Sequence, residues 1–344
     1  MENTTNHYQD SWTWAPVSWE WWEILQLILA IIGIIGNFLV MIVLLRPRHR
    51  RCATDTLIGA LAVADFLTSV FIIPHQRVIS LPDNPGGQAY CRIIHSSVLM
   101  WISICASIFT LTTISIERLA AVRYPSCHQV LFTHTRSPIL IVILWLIAVV
   151  INTFSLYVHF VQGGICVTQF PSSEFQKFIG VSLFIIEYVV PIITNVTAHS
   201  MTLYSLRRRS KSSNGNQGQE QMAPKLKEAQ RRVLRMLLIV VIIFIVCWTP
   251  DQFGFLVFNL GVVDVNHLFS PLYRCFVILA FANSCANPFI YAGRSPGFRK
   301  AFFQMFGGKS RRYGAHSVFA DLLHDSNSTF NATSIGEMSN MDKI

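Results

Sequence analysis

Seven long apolar segments follow one another along the chain, and no other feature restricts its possible folds as strongly. The first, Ile24–Leu45, contains no charged residue. About 20 apolar residues of helix are enough to cross the hydrocarbon core of a bilayer. The other six segments lie at approximately Thr56–Leu81, Ile93–Ile116, Pro138–Val158, Phe175–Leu206, Arg232–Phe258 and Leu272–Ala292. Because irregular backbone cannot satisfy its hydrogen bonds in lipid, each segment is predicted to be a transmembrane helix.

The composition agrees with a chain whose surroundings are mostly lipid. Charged residues make up 13% of the sequence and hydrophobic residues 52%, whereas an ordinary soluble domain is roughly 25% charged. These values exclude a disordered chain, a collagen-like fibre and a nucleic-acid binder with charge spread over a polar surface. One such segment alone would suit the buried helix of a soluble protein. Seven in succession predict an all-α membrane protein, a seven-transmembrane helix bundle.

Lys and Arg residues in the connections orient the bundle, because short cytoplasmic loops carry an excess of them. They cluster after the first span, after the fifth span and near the C-terminus, at Arg46, Arg48, Arg50, Arg51, Arg207, Arg208, Arg209, Lys211, Arg299, Lys300, Lys309, Arg311 and Arg312. The pattern predicts a multi-pass plasma-membrane protein with its N-terminus outside and its C-terminus in the cytoplasm. This topology accounts for the net charge of +9 without a nucleic-acid partner.

The spans divide the chain into three predicted regions. Residues 1–23 form an extracellular segment, residues 24–306 form the seven-helix core with a short amphipathic eighth helix, and residues 307–344 form a disordered cytoplasmic tail. Asn3 opens an Asn-Thr-Thr sequon on the outer side and is the predicted glycosylation site. Five tryptophans before the first span are predicted to form an interfacial aromatic belt: Trp12, Trp14, Trp19, Trp21 and Trp22.

No common catalytic motif accompanies this architecture. The sequence contains no His-Glu-x-x-His, Gly-x-Ser-x-Gly or Gly-x-Gly-x-x-Gly, and its histidines and cysteines show no clustered metal spacing. The chain is therefore not expected to be an enzyme. No internal repeat is evident either, which weighs against transporters built from repeated halves. A transporter or channel without such repeats is one possible class of protein.

Polar and proline residues recur at or inside the spans in a characteristic order. They are Gly36-Asn37, Leu61-Ala62-Val63-Ala64-Asp65, Cys91, Glu117-Arg118-Leu119, Trp145, Pro191, Cys247-Trp248-Thr249-Pro250 and Asn287-Pro288-Phe289-Ile290-Tyr291. Together, over about residues 33–306, they resemble the rhodopsin-like (class A) G-protein-coupled receptors. The resemblance implies a receptor that binds an extracellular ligand and activates a heterotrimeric G protein. It implies arrestin and membrane lipid as further partners.

The resemblance assigns G-protein coupling to the inner ends of spans three and six. Arg118 is the group presented to the G protein, and Glu117 and Leu119 flank it where Asp and Tyr are more usual. Arg231 and Arg235 are expected to hold or release the closed state. A simpler interpretation of Arg118 is a cation at a helix C-terminus, where it is favoured by the helix dipole.

The resemblance also assigns an activation switch to spans six and seven. Pro250 and Pro288 each remove a helical hydrogen bond and are plausible hinges, although proline also forms static kinks in membrane helices. His199 stands where the family usually has a Tyr that supports the active state. The switch residues are Trp248, Pro250, Asn287, Pro288 and Tyr291.

A set of five polar residues in the spans matches the positions at which this family binds sodium. Asp65, Ser107, Asn283, Ser284 and Asn287 offer the hard oxygen ligands that suit such an ion. An isolated carboxylate in lipid also needs compensation. The alternative is a purely structural, hydrogen-bonded Asp65. No cofactor is required, and Na⁺ is an allosteric candidate.

The topology places two of the eight cysteines on the outer side. Cys91 and Cys166 lie there, in the oxidising compartment, and can pair as a disulfide. The cysteines inside the spans are expected to be free, buried thiols: Cys105, Cys247, Cys275 and Cys285.

The pocket positions restrict the class of ligand. Met100 stands where amine receptors of this family carry an Asp, and Phe281 stands where opsins carry the retinal-linking Lys. Acids outnumber bases at the outer side and in the pocket, which favours a cationic ligand such as a basic or amidated neuropeptide. The predicted ligand-binding residues are Met100, Glu187, Trp248, Asp251 and Gln252. A non-peptide small molecule is the alternative ligand.

Overall fold

The computed structural model describes residues 11–45, 53–133, 135–212, 223–264, 268, 270–295, 298–299 and 302–303. The helices are α1 (Trp21–Leu45), α2 (Ala53–Phe71), α3 (Pro85–Ala89), α4 (Val98–Arg123), α5 (Pro125–Leu131), α6 (Arg136–Val158), α7 (Ser173–Leu183), α8 (Val190–Ser212), α9 (Ala223–Asn259) and α10 (Pro271–Arg294). Two π-helical segments, Tyr90–His95 and Phe184–Val189, lie before α4 and between α7 and α8. The strands are β1 (Thr13–Trp14), β2 (Val78–Ser80), β3 (His159–Gln162) and β4 (Ile165–Thr168).

Seven helical segments in the described part of the chain are long and apolar enough to cross a membrane. They contain α1, α2, α4, α6, α7 with α8, α9 and α10, so the prediction of a seven-helix membrane protein is confirmed. The predicted eighth helix is not established, because only residues 298–299 and 302–303 of that region are described. Asn3 and the tail, residues 307–344, lie outside the described residues.

The second span is shorter than predicted. Its apolar run continues through Ile73, but α2 ends at Phe71, because Pro74 cannot continue a helix and restricts the residue before it. Residues 78–80 instead form β2, which pairs antiparallel with β1. Trp12 stacks on Trp14 at 5.9 Å between ring centroids, and both rings contact Tyr90 edge-on. These two tryptophans therefore pack in an aromatic cluster beside the small sheet.

Side-chain caps set the start of two of the spans. The Ser172 hydroxyl accepts a hydrogen bond from the backbone N–H of Phe175 at 3.1 Å, and α7 begins at the next residue. The Ser270 hydroxyl likewise accepts from the N–H of Tyr273 at 3.2 Å. Pro271 follows in the first position of α10, where its fixed φ angle and missing N–H cost nothing.

A close backbone approach joins α1 to α10. A Cβ on Gly36 would lie 2.9 Å from Cγ of Pro288, so only glycine fits against that ring. The neighbouring Asn37 side-chain amide donates to the carbonyl of Gly33 at 3.0 Å and to that of Ser284 at 3.1 Å. The second bond runs between the two helices, so it fixes the register of α10 against α1.

We predict that Gly36→Ala lowers the thermal stability of the purified receptor, whereas Gly293→Ala does not. Both changes replace a glycine inside a helix, Gly36 in α1 and Gly293 in α10. Replacing a helical glycine with alanine by itself stabilises the helix by about 0.5–1 kcal/mol. Only the first inserts a methyl group against Pro288; among the described residues, nothing outside the local helix backbone lies within 4 Å of a Cβ on Gly293. Overpacking of this kind typically costs about 1–3 kcal/mol. Unfolding temperatures in one detergent measure the difference, and equal temperatures for the two variants would contradict the close packing.

Candidate functional site

Two buried carboxylates lie near each other between helices. Glu187, in the π-helical segment before α8, is 8% exposed, and Asp251, in α9, is 1% exposed. Their charges are close enough to interact. The thiol of Cys105 on α4 lies beside Glu187, and the hydroxyl of Tyr273 on α10 lies beside Asp251. The pair thus links four helical segments.

One oxygen of this pair lacks a partner. Oδ1 of Asp251 is buried and has no hydrogen bond within the described part of the chain. A buried, unpaired polar atom costs about 1–3 kcal/mol, and more when it is charged. The indole Nε1 of Trp248, three residues earlier on α9, is also buried without a partner among the described residues. Both atoms therefore have an unused capacity for one hydrogen bond within the described region.

An aromatic cluster lies on the same two helical segments as the acids. Phe184, Tyr188 and Phe253 form a cluster with ring centroids 5.1–6.0 Å apart. The hydroxyl of Tyr188 lies 2.6 Å from Oγ1 of Thr249, which joins the π-helical segment to α9. The predicted residues Met100, Trp248 and Gln252 are all buried in the bundle. Cys105, Tyr188, Thr249 and Tyr273 were not predicted, since nothing in their local sequence marks them as partners of a site.

A second polar cluster surrounds Asp65, which is fully buried on α2. The Ser107 hydroxyl donates to Oδ1 at 2.7 Å, and the Asn287 amide donates to Oδ2 at 2.7 Å. The hydroxyl of Ser284 lies beside the carboxylate. Oδ1 of Asn283 is buried and has no hydrogen bond among the described residues. The carboxylate and the two hydroxyls are oxygen ligands of the kind that suits a hard cation.

The end of α4 carries an ion pair. Arg118 donates from Nε to Glu117 Oε2 at 2.6 Å and from its guanidinium to Oε1 at 3.0 Å. The hydroxyl of Thr54 on α2 donates to the same carboxylate at 3.0 Å, and Nε2 of His128 on α5 lies 2.9 Å from it. Glu117 therefore joins three helices and holds Arg118 inside the bundle. The role of His128 was not predicted.

Two of the other predicted coupling residues have described side chains. Leu119 is half-buried and Arg235 is exposed, while the side chain of Arg231 lies outside the described residues. His199 on α8 has Nε2 3.2 Å from the hydroxyl of Ser115 on α4, and Ser115 also donates to Oδ1 of Asn195. His199 is therefore engaged between α8 and α4.

A disulfide braces the opposite end of α4, which we call the disulfide end of the bundle. Cys91 and Cys166 are bonded with Cα atoms 5.4 Å apart, which confirms the predicted pairing. Cys105, Cys247 and Cys285 are free and buried as expected, but Cys275 is exposed, because its position on α10 faces away from the bundle.

Burial lowers the pKa of His159, the first residue of β3, so its imidazole is neutral at pH 7.

Comparison with known sequences agrees with this arrangement. Residues 36–291 match the family profile described as 7 transmembrane receptor (rhodopsin family). Galanin receptor 2b of Danio rerio is 30% identical over 298 residues, which cover 84% of this chain and 75% of the relative. Galanin receptor 2a of the same fish is 28% identical over 283 residues, which cover 80% and 75%.

The family profile spans the Asp65 cluster, the Glu117–Arg118 pair, the disulfide and the buried acids. Members of this family are receptors and not enzymes; they take an extracellular ligand and act on a G protein. Both the profile and the relatives cover most of the chain. The chain belongs to the rhodopsin family of seven-transmembrane receptors.

Proposed function

We propose that this chain is a neuropeptide receptor of the plasma membrane, with the disulfide end outside the cell, and that its ligand places a cationic group against Asp251. The unpaired Oδ1 of that buried carboxylate is the observation that carries the proposal. A ligand cation at this oxygen would replace a missing partner by a charge-assisted hydrogen bond, which is about twice as strong as a neutral one. Glu187 adds a second negative charge nearby.

The relatives support a peptide as the ligand. Two of them are galanin receptors, and the pocket lacks the features of the main non-peptide classes, since Met100 and Phe281 provide neither an amine-binding acid nor a retinal-linking lysine. Galanin is therefore the first peptide to test. Met100, Trp248 and Gln252, buried around the acids, are the proposed apolar and polar walls of the pocket.

We predict that Asp251→Asn weakens peptide agonists while leaving the receptor folded. The change keeps the shape of the side chain and removes its charge, and the loss of a charged hydrogen bond of about 1.5–3 kcal/mol corresponds to roughly 10- to 150-fold in potency. Galanin and a library of amidated basic peptides are applied to cells, and calcium release is read through a promiscuous G protein.

Asp264→Asn is the matched control for this experiment. Asp264 is exposed after the end of α9, so removing its charge should leave potency within about twofold. Surface expression of both variants is measured by antibody labelling. If every agonist found keeps its wild-type potency on Asp251→Asn, the cationic contact is wrong.

At the other end of the bundle, we propose that release of Arg118 from Glu117 exposes the surface that engages the G protein. In the structure the guanidinium is 6% exposed and paired with Glu117, so it is withheld from a partner. Movement of α9 away from α4 is the kind of rigid helix shift that opens such a cavity. Arg231, Arg235 and Leu119 border the proposed coupling surface, and arrestin binding there stays a prediction.

Arg118→Ala should abolish G-protein activation without abolishing ligand binding. We expect agonist-stimulated GTPγS binding to fall at least about tenfold, because the group that contacts the G protein is missing. Arg123→Ala is the matched control: Arg123 lies on the same helix and its guanidinium stacks on Tyr124 at 5.8 Å, away from Glu117. Full efficacy of Arg118→Ala at normal surface expression would refute the assignment.

We further propose that the Asp65 cluster holds Na⁺ as an allosteric ligand. The ion would supply the positive charge that a carboxylate in an apolar bundle needs. The free Oδ1 of Asn283 and the oxygens of Ser107 and Ser284 would complete its coordination. Trp248, Pro250, Asn287, Pro288 and Tyr291 are the residues proposed to change arrangement between the inactive and active states, and linkage then requires Na⁺ and agonist to oppose each other.

Sodium should lower agonist affinity, and Asp65→Asn should remove that effect. Typical coupling energies predict a wild-type change of about fivefold or more between buffers containing Na⁺ and a bulky organic cation at equal ionic strength. Ser69→Ala is the control. The Ser69 hydroxyl donates to the backbone carbonyl of Asp65 at 2.7 Å, and not to its carboxylate. Agonist competition curves measure the effect. A wild-type receptor indifferent to Na⁺ would make Asp65 a structural residue only.

A further inference from the structure

Two histidine rings face each other at the disulfide end, outside the ligand pocket and the Asp65 cluster. His95 ends the π-helical segment before α4, and His159 begins β3. Their ring centroids are 6.4 Å apart with an angle of 65° between the planes. His95 is exposed and His159 is half-buried, so the space between the rings is open to solvent and to small ions.

The hydrogen bond of His159 is of the kind made by metal-binding histidines. Its Nδ1 lies 2.8 Å from the backbone carbonyl of Ser155, which requires the proton on Nδ1. The lone pair of Nε2 is then free for a ligand. Histidines that bind metals almost always donate their second ring N–H to a carbonyl or carboxylate in this way, which fixes the ring and its tautomer.

The backbone that carries the two rings is rigidly connected. Cys91, one helical turn before His95, is bonded to Cys166 in β4, and β4 pairs with β3 so that His159 lies opposite Thr168. Buried Leu81, Cys91 and Val161 form an apolar cluster beneath this frame. The disulfide and the hairpin thus hold both histidines in place before any ion arrives.

We propose that His95 and His159 form a Zn²⁺ site that bridges the outer end of α4 to the β3–β4 hairpin. Neutral imidazole is a preferred ligand of zinc, and an approach of the two rings by about 1 Å brings one nitrogen of each to the Zn–N distance of roughly 2.0–2.1 Å. No group of three or more His, Cys, Asp or Glu side chains that could hold a metal occurs among the described residues. Water completes the coordination of this two-histidine site.

The location gives the site a regulatory consequence. A bridging ion ties α4, which carries Met100 and Cys105 beside the buried acids, to a hairpin at the same end of the bundle. Binding to the folded state alone stabilises that state by mass action. Zinc therefore makes the disulfide end of the bundle more rigid, and it does so at a place separate from the ligand and from Na⁺.

The test measures zinc binding to the purified full-length receptor in detergent, where both faces are accessible and no agonist is needed. Accessible free thiols, such as those of Cys127 and Cys275, are first alkylated. Zn²⁺ is titrated against a fluorescent chelator, and unfolding temperature is recorded in parallel. We expect one Zn²⁺ per receptor and a raised unfolding temperature, with no effect of Mg²⁺ or Ca²⁺, which prefer oxygen ligands.

Single substitutions separate this site from other histidines. His95→Ala and His159→Ala should each reduce zinc affinity about tenfold or more, since even the loss of an outer hydrogen-bonding partner of a metal ligand costs 10- to 100-fold. His75→Ala tests for a third ligand, because His75 lies close enough to His95 for their charges to interact. Zinc binding that survives in both variants, or that His75→Ala reduces equally, would overturn the assignment.

A second measurement on the unmodified sequence avoids any folding defect of the variants. Diethylpyrocarbonate modifies accessible histidine nitrogens, and peptide mass spectrometry reads each residue separately. Zn²⁺ should protect His95 and His159 while leaving His75 as reactive as before. Equal modification of the two residues with and without Zn²⁺ would also overturn the proposal. Neither outcome depends on the identity of the peptide ligand or on G-protein coupling.

Discussion

The cost of placing a carboxylate inside an apolar helix bundle governs the rest of this structure. The buried acids of the described residues include Asp65, Glu117, Glu187 and Asp251, each at most 8% exposed. A charged side chain at that depth must find a partner or line a cavity. Each acid accordingly gathers donors from neighbouring helices, and these polar contacts fix how the helices face one another. Packing between apolar side chains alone would not fix that register, because lipid tails are as apolar as leucine.

The four acids differ in how completely they are paired. That difference distinguishes the ion-pair lock at Glu117 from the proposed ligand site at Asp251. Glu117 has Arg118, His128 and Thr54 as partners, so its charge is compensated within the protein. Asp251 has one oxygen with no protein partner in the described region. A fully paired acid resists change until its partners move, whereas an incompletely paired one gains from a ligand that supplies the missing charge. The lock and the binding site thus follow from the same energetic rule.

The seven spans could be predicted from the sequence because length and apolar character are local properties of each segment. The disulfide could be predicted too, since the charge-derived topology left only Cys91 and Cys166 on one side. The end of α2 could not, because Ile72 and Ile73 extend the apolar run and hide the effect of Pro74. His128 was missed for another reason. It reaches Glu117 only because α5 folds back beneath α4, and eleven residues of separation carry no sign of that contact.

Part of the candidate site could likewise be predicted from the sequence, and part could not. The resemblance of motifs grouped Asp65 with Ser107, Asn283, Ser284 and Asn287. The structure hydrogen-bonds the Asp65 carboxylate to Ser107 and Asn287 and places Ser284 beside it. Motifs describe positions within a helix and say nothing of the rotation between helices. The contacts of Glu187 with Cys105 and of Asp251 with Tyr273 depend on that rotation. They became visible only in three dimensions.

Helix α10 offers a physical route between the pocket and the Asp65 cluster. Tyr273 contacts Asp251 near one end of the helix, and Asn287 donates to Asp65 farther along it. Fourteen residues of helix separate them, or about 21 Å at 1.5 Å per residue. Pro288 follows Asn287 directly and removes a backbone hydrogen bond there, which makes this the softest point of the helix. If the proposed ligand contact draws Asp251 away from Tyr273, it frees one end of a helix whose weakest point lies beside Asp65. The proposed coupling between the two sites then needs no contact between their ligands.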